Sequence, residues 1–211
     1  VLERYGMTET GMICSNPYDG VRKAGTVGFP LTGVELRIAD RVTATELAHG
    51  EVGMIEVRGP NVFKGYWRMP EKTAEEFRND GFFITGDLGH IDKDGYLHIV
   101  GRDKDLVISG GYNIYPKEIE LQIDALSGVI ESAVIGLPHD DFGEAVTAVV
   151  VLAPNAPLQE VDIKAQIAVD LAKYKQPKRV LIVDVLPHNT MGKVMKNELR
   201  NFYAGLYQKI K

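Results

Sequence analysis

The pattern of apolar residues changes at Gly101 and Arg102, and this change constrains the fold more than any other feature of the 211-residue chain. Before it, short segments of alternating apolar and polar residues are separated by glycine-containing turns, a pattern typical of β-strands. After it, apolar residues at helical spacing alternate with continuous apolar runs. The sequence therefore predicts an α+β chain with two domains, residues 1–102 and 103–211, and a boundary at 102–104.

The first domain is expected to be mostly β, the remnant of a larger domain that continues upstream. Strands are predicted at 34–38, 53–57, 82–85, 88–91 and 96–100. The last two are joined by residues 92–95, Asp-Lys-Asp-Gly, which give a strong hairpin signal because Asp and Gly tolerate turn dihedral angles. One short helix is predicted at 70–77. We expect the strands to form a small barrel.

The second domain is expected to be a small α+β unit with a short sheet and flanking helices. Strands are predicted at 105–109, 129–135, 145–152 and 180–185. One helix is opened by Pro116, which suits the first helical position, and another is predicted at 160–173. A final helix carries apolar residues at helical spacing: Met195, Leu199, Phe202, Leu206 and Ile210. This alternation predicts a domain with its own core.

Composition narrows the possible functions. A formal net charge of −5, without a basic stripe, disfavours nucleic acid as a partner. The longest apolar run, 145–153, is strand-sized, so no membrane span is expected. A single cysteine, Cys14, excludes an internal disulfide framework and favours a reducing, cytoplasmic location. No signal peptide is recognised, the five histidines lack metal-ligand spacing, and a start at Val1 beside a motif predicts a piece of a longer protein.

One lysine carries the clearest chemical signal. Residues 186–193, Leu-Pro-His-Asn-Thr-Met-Gly-Lys, place Lys193 directly after a glycine turn. A lysine amine is cationic at neutral pH, and such a charge can stabilise the negative charge that develops when a phosphate is attacked. The alternative is a surface lysine near the start of a helix. Its position in Pro-x-x-x-x-Gly-Lys favours a catalytic role.

Five segments in a fixed order resemble the adenylate-forming superfamily, which includes acyl-CoA synthetases, peptide-synthetase adenylation domains and luciferases. The segments are 5–9 (YGMTE), 50–66, 85–88 (TGDL), 101–105 with 109–111, and 187–193. Within the superfamily the chain is most similar to malonyl-CoA synthetases. This closer likeness is carried by 15–20, 59–67, 110–120 and 189–194. The resemblance identifies residues 1–102 as the end of the large adenylate-binding domain and 103–211 as the mobile C-terminal domain.

The resemblance implies a reaction and its cofactors. Enzymes of this kind activate a carboxylic acid with ATP as an acyl-adenylate and then pass the acyl group to the thiol of coenzyme A. The implied function is therefore an acid–thiol ligase acting on a small carboxylic acid, malonate by the closest likeness. The implied cofactors are ATP or AMP, Mg²⁺ and coenzyme A.

Nucleotide-binding roles are implied for Tyr5, Gly6, Thr8, Asp87 and Arg102. Tyr5 would stack on adenine, with a core tyrosine as the alternative, while Thr8 would bond a phosphate oxygen or simply cap the next element. Asp87 would accept the two ribose hydroxyls, against the alternative of an ordinary turn aspartate. Arg102 would add a donor to the ribose or phosphate, or form a surface salt bridge.

Two further residues of the first motif receive roles. The resemblance assigns Glu9 to the magnesium, and a hard carboxylate oxygen suits Mg²⁺, which takes few protein ligands beside phosphate. Met7 would shorten the acyl pocket and favour a small acid.

The second domain would supply a moving set of groups. Lys104 occupies the position that the family uses as a hinge, and its alternative is a solvated linker lysine. The loop of Ser109, Gly110 and Gly111 would approach the pantetheine arm of coenzyme A, or be a simple turn. Rotation about the hinge would withdraw Lys193 after adenylation and present this loop for thioester formation.

Two alternatives stay open. The Ser/Thr/Gly-rich loop that grips the triphosphate in the family does not occur in these residues and would lie upstream of Val1. The chain alone is therefore expected to be inactive, and it could be a non-catalytic fragment that binds nucleotide or coenzyme A weakly. It could also belong to an adenylation unit that loads a carrier protein. Acetylation of Lys193 by a lysine acetyltransferase would remove its charge.

Overall fold

The computed structural model describes residues 1–208 and divides the chain into two compact units. The first unit is Val1–Asp103, and the second comprises the described residues from Lys104 onward. The described part contains four α-helices and three β-sheets. The mixed α and β fold class expected from the sequence is confirmed. The assignment of each unit to a particular domain of a larger enzyme stays a prediction.

The first unit contains two antiparallel sheets. One has the order β1 (Arg4–Met7), β2 (Gly11–Ser15) and β3 (Phe29–Pro30). The other has the order β4 (Glu35–Ala39), β5 (Gly53–Arg58), β6 (Phe83–Ile91) and β7 (Leu97–Arg102). Helix α1 (Pro70–Glu76) lies between β5 and β6 in sequence. Both sheets are open within residues 1–208, so the expectation of a small barrel was wrong.

Strand β6 corrects the sequence prediction of two separate strands. The strand continues through Gly86, which has a φ of +73°. The glycine at this irregular position is the reason that the sequence predicted two strands with a break between them. The hydroxyl of Thr85 donates to the carbonyl of Ile55 and accepts the N–H of Asp87, so the irregular stretch stays hydrogen-bonded. The pairing with β5 shifts register here, which is the pattern of a β-bulge.

The first sheet was missed in the sequence because its motif resembled a loop. Strands β1 and β2 pair directly across a tight turn, in which Thr10 N–H donates to the carbonyl of Met7. Gly6 is required by close approach: a Cβ at this position would lie 2.4 Å from the carbonyl oxygen of Gly11. The hairpin predicted at 92–95 is confirmed, since Gly95 N–H donates to the carbonyl of Asp92 and Gly95 has a φ of +88°.

The second unit is a five-stranded sheet with helices on both faces. Its strands are β8 (Val107–Ser109), β9 (Tyr112–Ile114), β10 (Val129–His139), β11 (Gly143–Leu152) and β12 (Arg179–Val183). Their order is β10-β11-β8-β9, and β12 pairs in parallel with β11. The helices are α2 (Pro116–Asp124), α3 (Glu160–Ile167) and α4 (Lys196–Tyr203). The predicted short sheet with flanking helices is therefore confirmed.

Successive side chains of β10 alternate between two apolar clusters, one on each face of the sheet. Val134 lies in a core cluster with Ile119 and Ile163, under α2 and α3. Its neighbour Ala133 belongs to a second cluster with Leu199 of α4. Successive strand residues point to opposite faces, so a continuous apolar run fits a sheet that is buried on both sides.

One strand of the second unit was missed, and the bounds of several other elements differ from the prediction. Strand β9 was not predicted, because the two glycines before it favoured a loop. The helix predicted at 160–173 ends at Ile167, and a 3₁₀ turn follows at Lys173–Lys175. The last helix ends at Tyr203, and Ile210 lies outside the described residues. Among residues 1–208, no helix combines the length and apolar character needed to cross a membrane.

Candidate functional site

Three of the predicted nucleotide-binding residues meet in the first unit. The hydroxyl of Tyr5 donates to Oδ2 of Asp87 at 2.6 Å. Nε of Arg102 lies 2.7 Å from Oδ1 of the same carboxylate. Strand pairing accounts for the second contact, because Asp87 of β6 and Arg102 of β7 are register partners. The three side chains form one connected array from three strands.

Burial keeps the phenol of this array protonated. Tyr5 is 7% exposed and packs in the core cluster of the first unit. Burial raises the pKa of its phenol, and the negative charge of Asp87 raises it further. The phenol is therefore a protonated donor at neutral pH. Tyr5 has the packing of a core tyrosine, and its stacking on adenine stays a prediction.

Glu9 lies in the turn between β1 and β2, where a tyrosine contacts its carboxylate. The hydroxyl of Tyr66 lies 3.2 Å from Oε1 of Glu9 and 3.1 Å from Oε2 of Glu76. Burial and these two carboxylates raise the pKa of Tyr66, so its hydroxyl stays protonated at neutral pH and can donate to either carboxylate. Lys72 pairs with Glu76. Sequence reasoning missed Tyr66, although it lies in the segment 59–67 that carries the closer family likeness.

The side chains around Glu9 decide whether this turn could hold the predicted Mg²⁺. Thr8 is exposed and Glu9 partly exposed in the same turn. No cluster of three or more potential metal-ligating side chains occurs in the described part of the chain. One carboxylate beside a hydroxyl fits a cation that completes its shell with water and phosphate, as Mg²⁺ does. Met7 is partly buried against the core of the first unit, so its predicted contact with an acyl group stays untested.

Lys104 is an exposed residue flanked by two aspartates that are held within different units. Asp103 pairs with Arg41 in the first unit. Oδ1 of Asp105 lies 2.9 Å from the guanidinium of Arg200 in the second. Ion pairs within each unit therefore hold the two aspartates that flank Lys104. Its role as a hinge stays a prediction.

The predicted coenzyme A loop is a tight hairpin. Gly110 and Gly111 connect β8 to β9 with φ values of +58° and +82°. A two-residue hairpin loop of this kind requires positive φ at both central positions, which explains both glycines. Gly110 N–H donates to the carbonyl of Phe142 at 2.9 Å. Ser109, at the end of β8, is buried.

A cavity of about 180 Å³ opens beside this hairpin. It is lined by Ser109, Gly110, Tyr112, Phe142, Val146, Lys173, Tyr174, Gln176 and Lys178. The rings of Tyr112 and Tyr174 stack with centroids 4.6 Å apart, and Nζ of Lys178 lies 3.5 Å from the ring centroid of Phe142. The cavity thus combines aromatic faces with ammonium groups. Sequence reasoning identified the glycine loop but neither the hairpin nor these side chains, which have no shared spacing.

Lys193 is presented by a small hairpin of its own. His188 and Val194 form an antiparallel bridge, and Gly192 has a φ of +77°. Oδ1 of Asn189 accepts the N–H groups of Met191 and Lys193. The side chain of Lys193 is exposed, and within residues 1–208 its ammonium makes no hydrogen bond or ion pair. The predicted meeting of Lys193 with residues 5–9 involves both units and stays a prediction.

Two family models match the chain. The AMP-binding enzyme model matches residues 1–67, and the AMP-binding enzyme C-terminal domain model matches residues 118–193. The chain belongs to the AMP-binding enzymes. The resemblance to adenylate-forming enzymes is thereby confirmed.

Several of the proteins that this chain resembles are CoA ligases. The chain is 46% identical to a probable CoA ligase, CCL8, from Humulus lupulus, over 95% of this chain and 35% of that protein. It is 45% identical to a malonate–CoA ligase from Arabidopsis thaliana, over 95% of this chain and 34% of that protein. Other CoA ligases match as well, so the relationship supports a CoA ligase without fixing the acid.

A solved AMP-binding enzyme shares the fold closely. The crystal structure of ATP-bound MatB from Rhodopseudomonas palustris is 63% identical with a TM-score of 0.94, covering 99% of this chain and 41% of that one. The chain therefore spans about two fifths or less of the proteins that it matches.

Proposed function

We propose that this chain is part of an ATP-dependent acyl-CoA ligase that converts a small carboxylic acid, malonate in particular, first to an acyl-adenylate and then to a thioester. The observation that carries the proposal is the array of Tyr5, Asp87 and Arg102, in which a buried carboxylate is held by two donors. Support also comes from the 63% identity to a protein whose crystal structure contains ATP.

The nucleotide binds along the first unit. Asp87 accepts the ribose hydroxyls, and Arg102, whose Nε contacts the same carboxylate, adds a donor. Tyr5 offers its ring to the adenine, while the absence of a side chain at Gly6 lets the backbone come close. The hydroxyl of Thr8 bonds a phosphate oxygen, as a turn residue with an exposed hydroxyl can do.

Glu9 would be the protein ligand that holds Mg²⁺. When bound, the ion offsets the negative charge that develops on the phosphates. The hydroxyl of Tyr66 contacts Oε1 of Glu9. This contact restrains the carboxylate as it faces the nucleotide. Met7 limits the length of the acyl group.

Coenzyme A enters at the cavity beside the Gly110–Gly111 hairpin. The ammonium groups of Lys173 and Lys178 suit its phosphates, and the stacked Tyr112 and Tyr174 offer an aromatic face for its adenine. Glycine at the hairpin lets the pantetheine arm approach the backbone.

Lys193 serves adenylation only. Its ammonium stabilises the charge at the α-phosphate while the carboxylate attacks. Rotation about Lys104 then removes it and brings the coenzyme A loop into use. Lys193→Ala is expected to abolish acyl-adenylate formation and to leave thioester formation from supplied acyl-adenylate largely intact. Equal loss in both half-reactions would reject this division of labour.

Two regulatory and cellular features complete the proposal. The exposed ammonium of Lys193 is accessible to a lysine acetyltransferase, and acetylation would switch adenylation off by removing the charge. A single, buried cysteine, Cys14, suits a cytoplasmic location.

One experiment separates this function from its alternatives. A chimera, in which the upstream part of Rhodopseudomonas palustris MatB precedes this chain, supplies the rest of the family fold. Acid-dependent pyrophosphate release is expected from the chimera and not from the 211-residue chain. Release without coenzyme A thioester, when free coenzyme A is present, would favour the carrier-protein alternative. The absence of release from the chimera would leave only a non-catalytic binding fragment.

The acid itself is tested by competition. We expect the chimera to prefer malonate over methylmalonate, acetate and a medium-chain acid at equal concentration. The control is MatB itself, which reports what the upstream part contributes to the preference. A preference of the chimera for the monocarboxylic acids would reject malonate.

A further inference from the structure

Lys196, three residues after Lys193, makes an ion pair that is largely buried. Nζ of Lys196, the first residue of α4, lies 2.6 Å from Oε1 of Glu120 on α2. The side chains are only 17% and 7% exposed. The same oxygen accepts the backbone N–H of Val134 in β10 at 2.9 Å. One carboxylate therefore connects α2, β10 and the start of α4.

Because the ion pair is largely buried, it favours one position of α4 relative to α2. Removing one partner of a buried pair leaves an uncompensated charge, so the pair resists alternative arrangements of the helix. Lys117 also lies near Glu120, at 3.9 Å, but its side chain is 53% exposed. An exposed, longer contact of that kind contributes little. The position of α4 therefore depends on Lys196 rather than on Lys117.

The ion pair lies close to Lys193 along the chain. Three residues can span at most about 10 Å, so Lys193 stays near the fixed end of α4. Met195 N–H donates to the carbonyl of Pro187 at 2.7 Å, which joins the two ends of the Lys193 hairpin. At the other end of α4, Arg200 pairs with Asp105.

We propose that Lys196 and Glu120 are positioning residues for Lys193, which rests on the adenylation role of Lys193 proposed above. Lys196 cannot supply a second catalytic charge, because Glu120 holds its ammonium inside the domain. Its contribution is to fix the hairpin from which Lys193 extends. A displacement of about 1 Å in a reacting group can lower a rate about 100-fold, so a loose hairpin slows adenylation.

The test measures both half-reactions separately in the chimera. Lys196→Met is expected to lower kcat for acyl-adenylate formation about 10- to 100-fold, with KM for ATP unchanged. Thioester formation from supplied acyl-adenylate should stay within about twofold, because that step does not use Lys193. Lys196→Arg should recover most of the adenylation rate, and Glu120→Gln should resemble Lys196→Met.

The matched control is Lys117→Met, which removes a cation near the same carboxylate without touching α4, and it should change neither rate more than about twofold. Equal loss of both half-reactions in Lys196→Met would indicate a purely structural role and overturn the proposal. So would full adenylation in Lys196→Met while Lys193→Ala is inactive. If Lys193→Ala itself retains adenylation, the proposed role of Lys193 fails, and the positioning role fails with it.

Discussion

The hydroxyl of Tyr5 donates a 2.6 Å hydrogen bond to Oδ2 of Asp87, although the two residues lie 82 positions apart. The contact couples the first motif to the ribose-binding carboxylate proposed for the same nucleotide. Tyr5→Phe keeps the ring and removes only the donor. We expect it to destabilise the first unit by about 1.5–3 kcal/mol, the range for a hydrogen bond to a charged group, and to weaken AMP binding by the chimera. Denaturant unfolding and calorimetric titration measure the two effects.

Tyr96→Phe is the matched control for this prediction. Tyr96 is also buried in the first unit, and its hydroxyl donates to the carbonyl of Val21 at 2.8 Å. Its loss should lower stability by about 1 kcal/mol without changing AMP affinity. Unchanged AMP affinity in Tyr5→Phe would show that the hydroxyl serves the fold alone.

The sequence predicted elements whose cause is local. The hairpin at 92–95 follows from residues that tolerate its dihedral angles, and α2 begins at Pro116 as predicted, because proline suits a first helical position. Strand β9 was missed since its only local signals, Gly110 and Gly111, are equally typical of a loop. The strands of residues 1–30 were missed because glycine lowers their β signal even where close packing requires it.

In the candidate site, too, the sequence predicted individual residues but not the contacts between distant ones. The family resemblance identified Tyr5 and Asp87 separately, but their hydrogen bond depends on the pairing of distant strands. Tyr66, Tyr174 and Lys178 were missed for that reason too. Each gains its chemical context from residues far away in sequence, and none has a spacing that marks it in advance.

Lys178 offers a test of the proposed binding of coenzyme A at the cavity beside the glycine hairpin. Its ammonium lies over the ring of Phe142 at 3.5 Å from the centroid and lines the cavity beside the glycine hairpin. Lys178→Gln should raise KM for coenzyme A about five- to tenfold, the equivalent of one lost charge-assisted contact, and leave KM for ATP unchanged. Steady-state kinetics of the chimera measure both. Lys93→Gln, in an exposed turn, is the control, and an equal rise in both variants would contradict a local phosphate contact.

Lys104 offers a test of the hinge. Proline fixes φ near −65°, which a 3₁₀ turn accommodates but a large rotation does not. Lys104→Pro should therefore slow thioester formation at least about tenfold and leave adenylation within about twofold. Single-turnover measurements of each half-reaction in the chimera decide this. Lys104→Ala removes the charge and retains rotation, so a comparable defect in that variant would attribute the effect to charge instead.

His90 makes the stability of the first unit sensitive to pH. Its ring stacks on His98 with centroids 4.6 Å apart, and its Nδ1 has no hydrogen-bond partner within residues 1–208. Burial lowers the pKa of His90, and the electrostatic interaction with His98 lowers it further. Below the ordinary histidine pKa of about 6.5, the unfolded chain therefore binds a proton that the folded chain resists. The free energy of unfolding should fall as the pH drops from 7 toward 5.

His90→Phe tests this assignment because it keeps an aromatic ring and removes the titrating group. The decline in unfolding free energy between pH 7 and pH 5 should become shallower, as measured by hydrogen exchange at the amides of β6 and β7. His49→Gln, an exposed histidine in the same unit, should leave the decline unchanged.

Asp92 affects stability in a different pH range. Lys23 and then His98 lower its pKa, so its contribution to stability is lost only below the ordinary aspartate pKa of about 3.9. An unchanged slope in His90→Phe would therefore move the origin of the pH dependence away from the stacked pair.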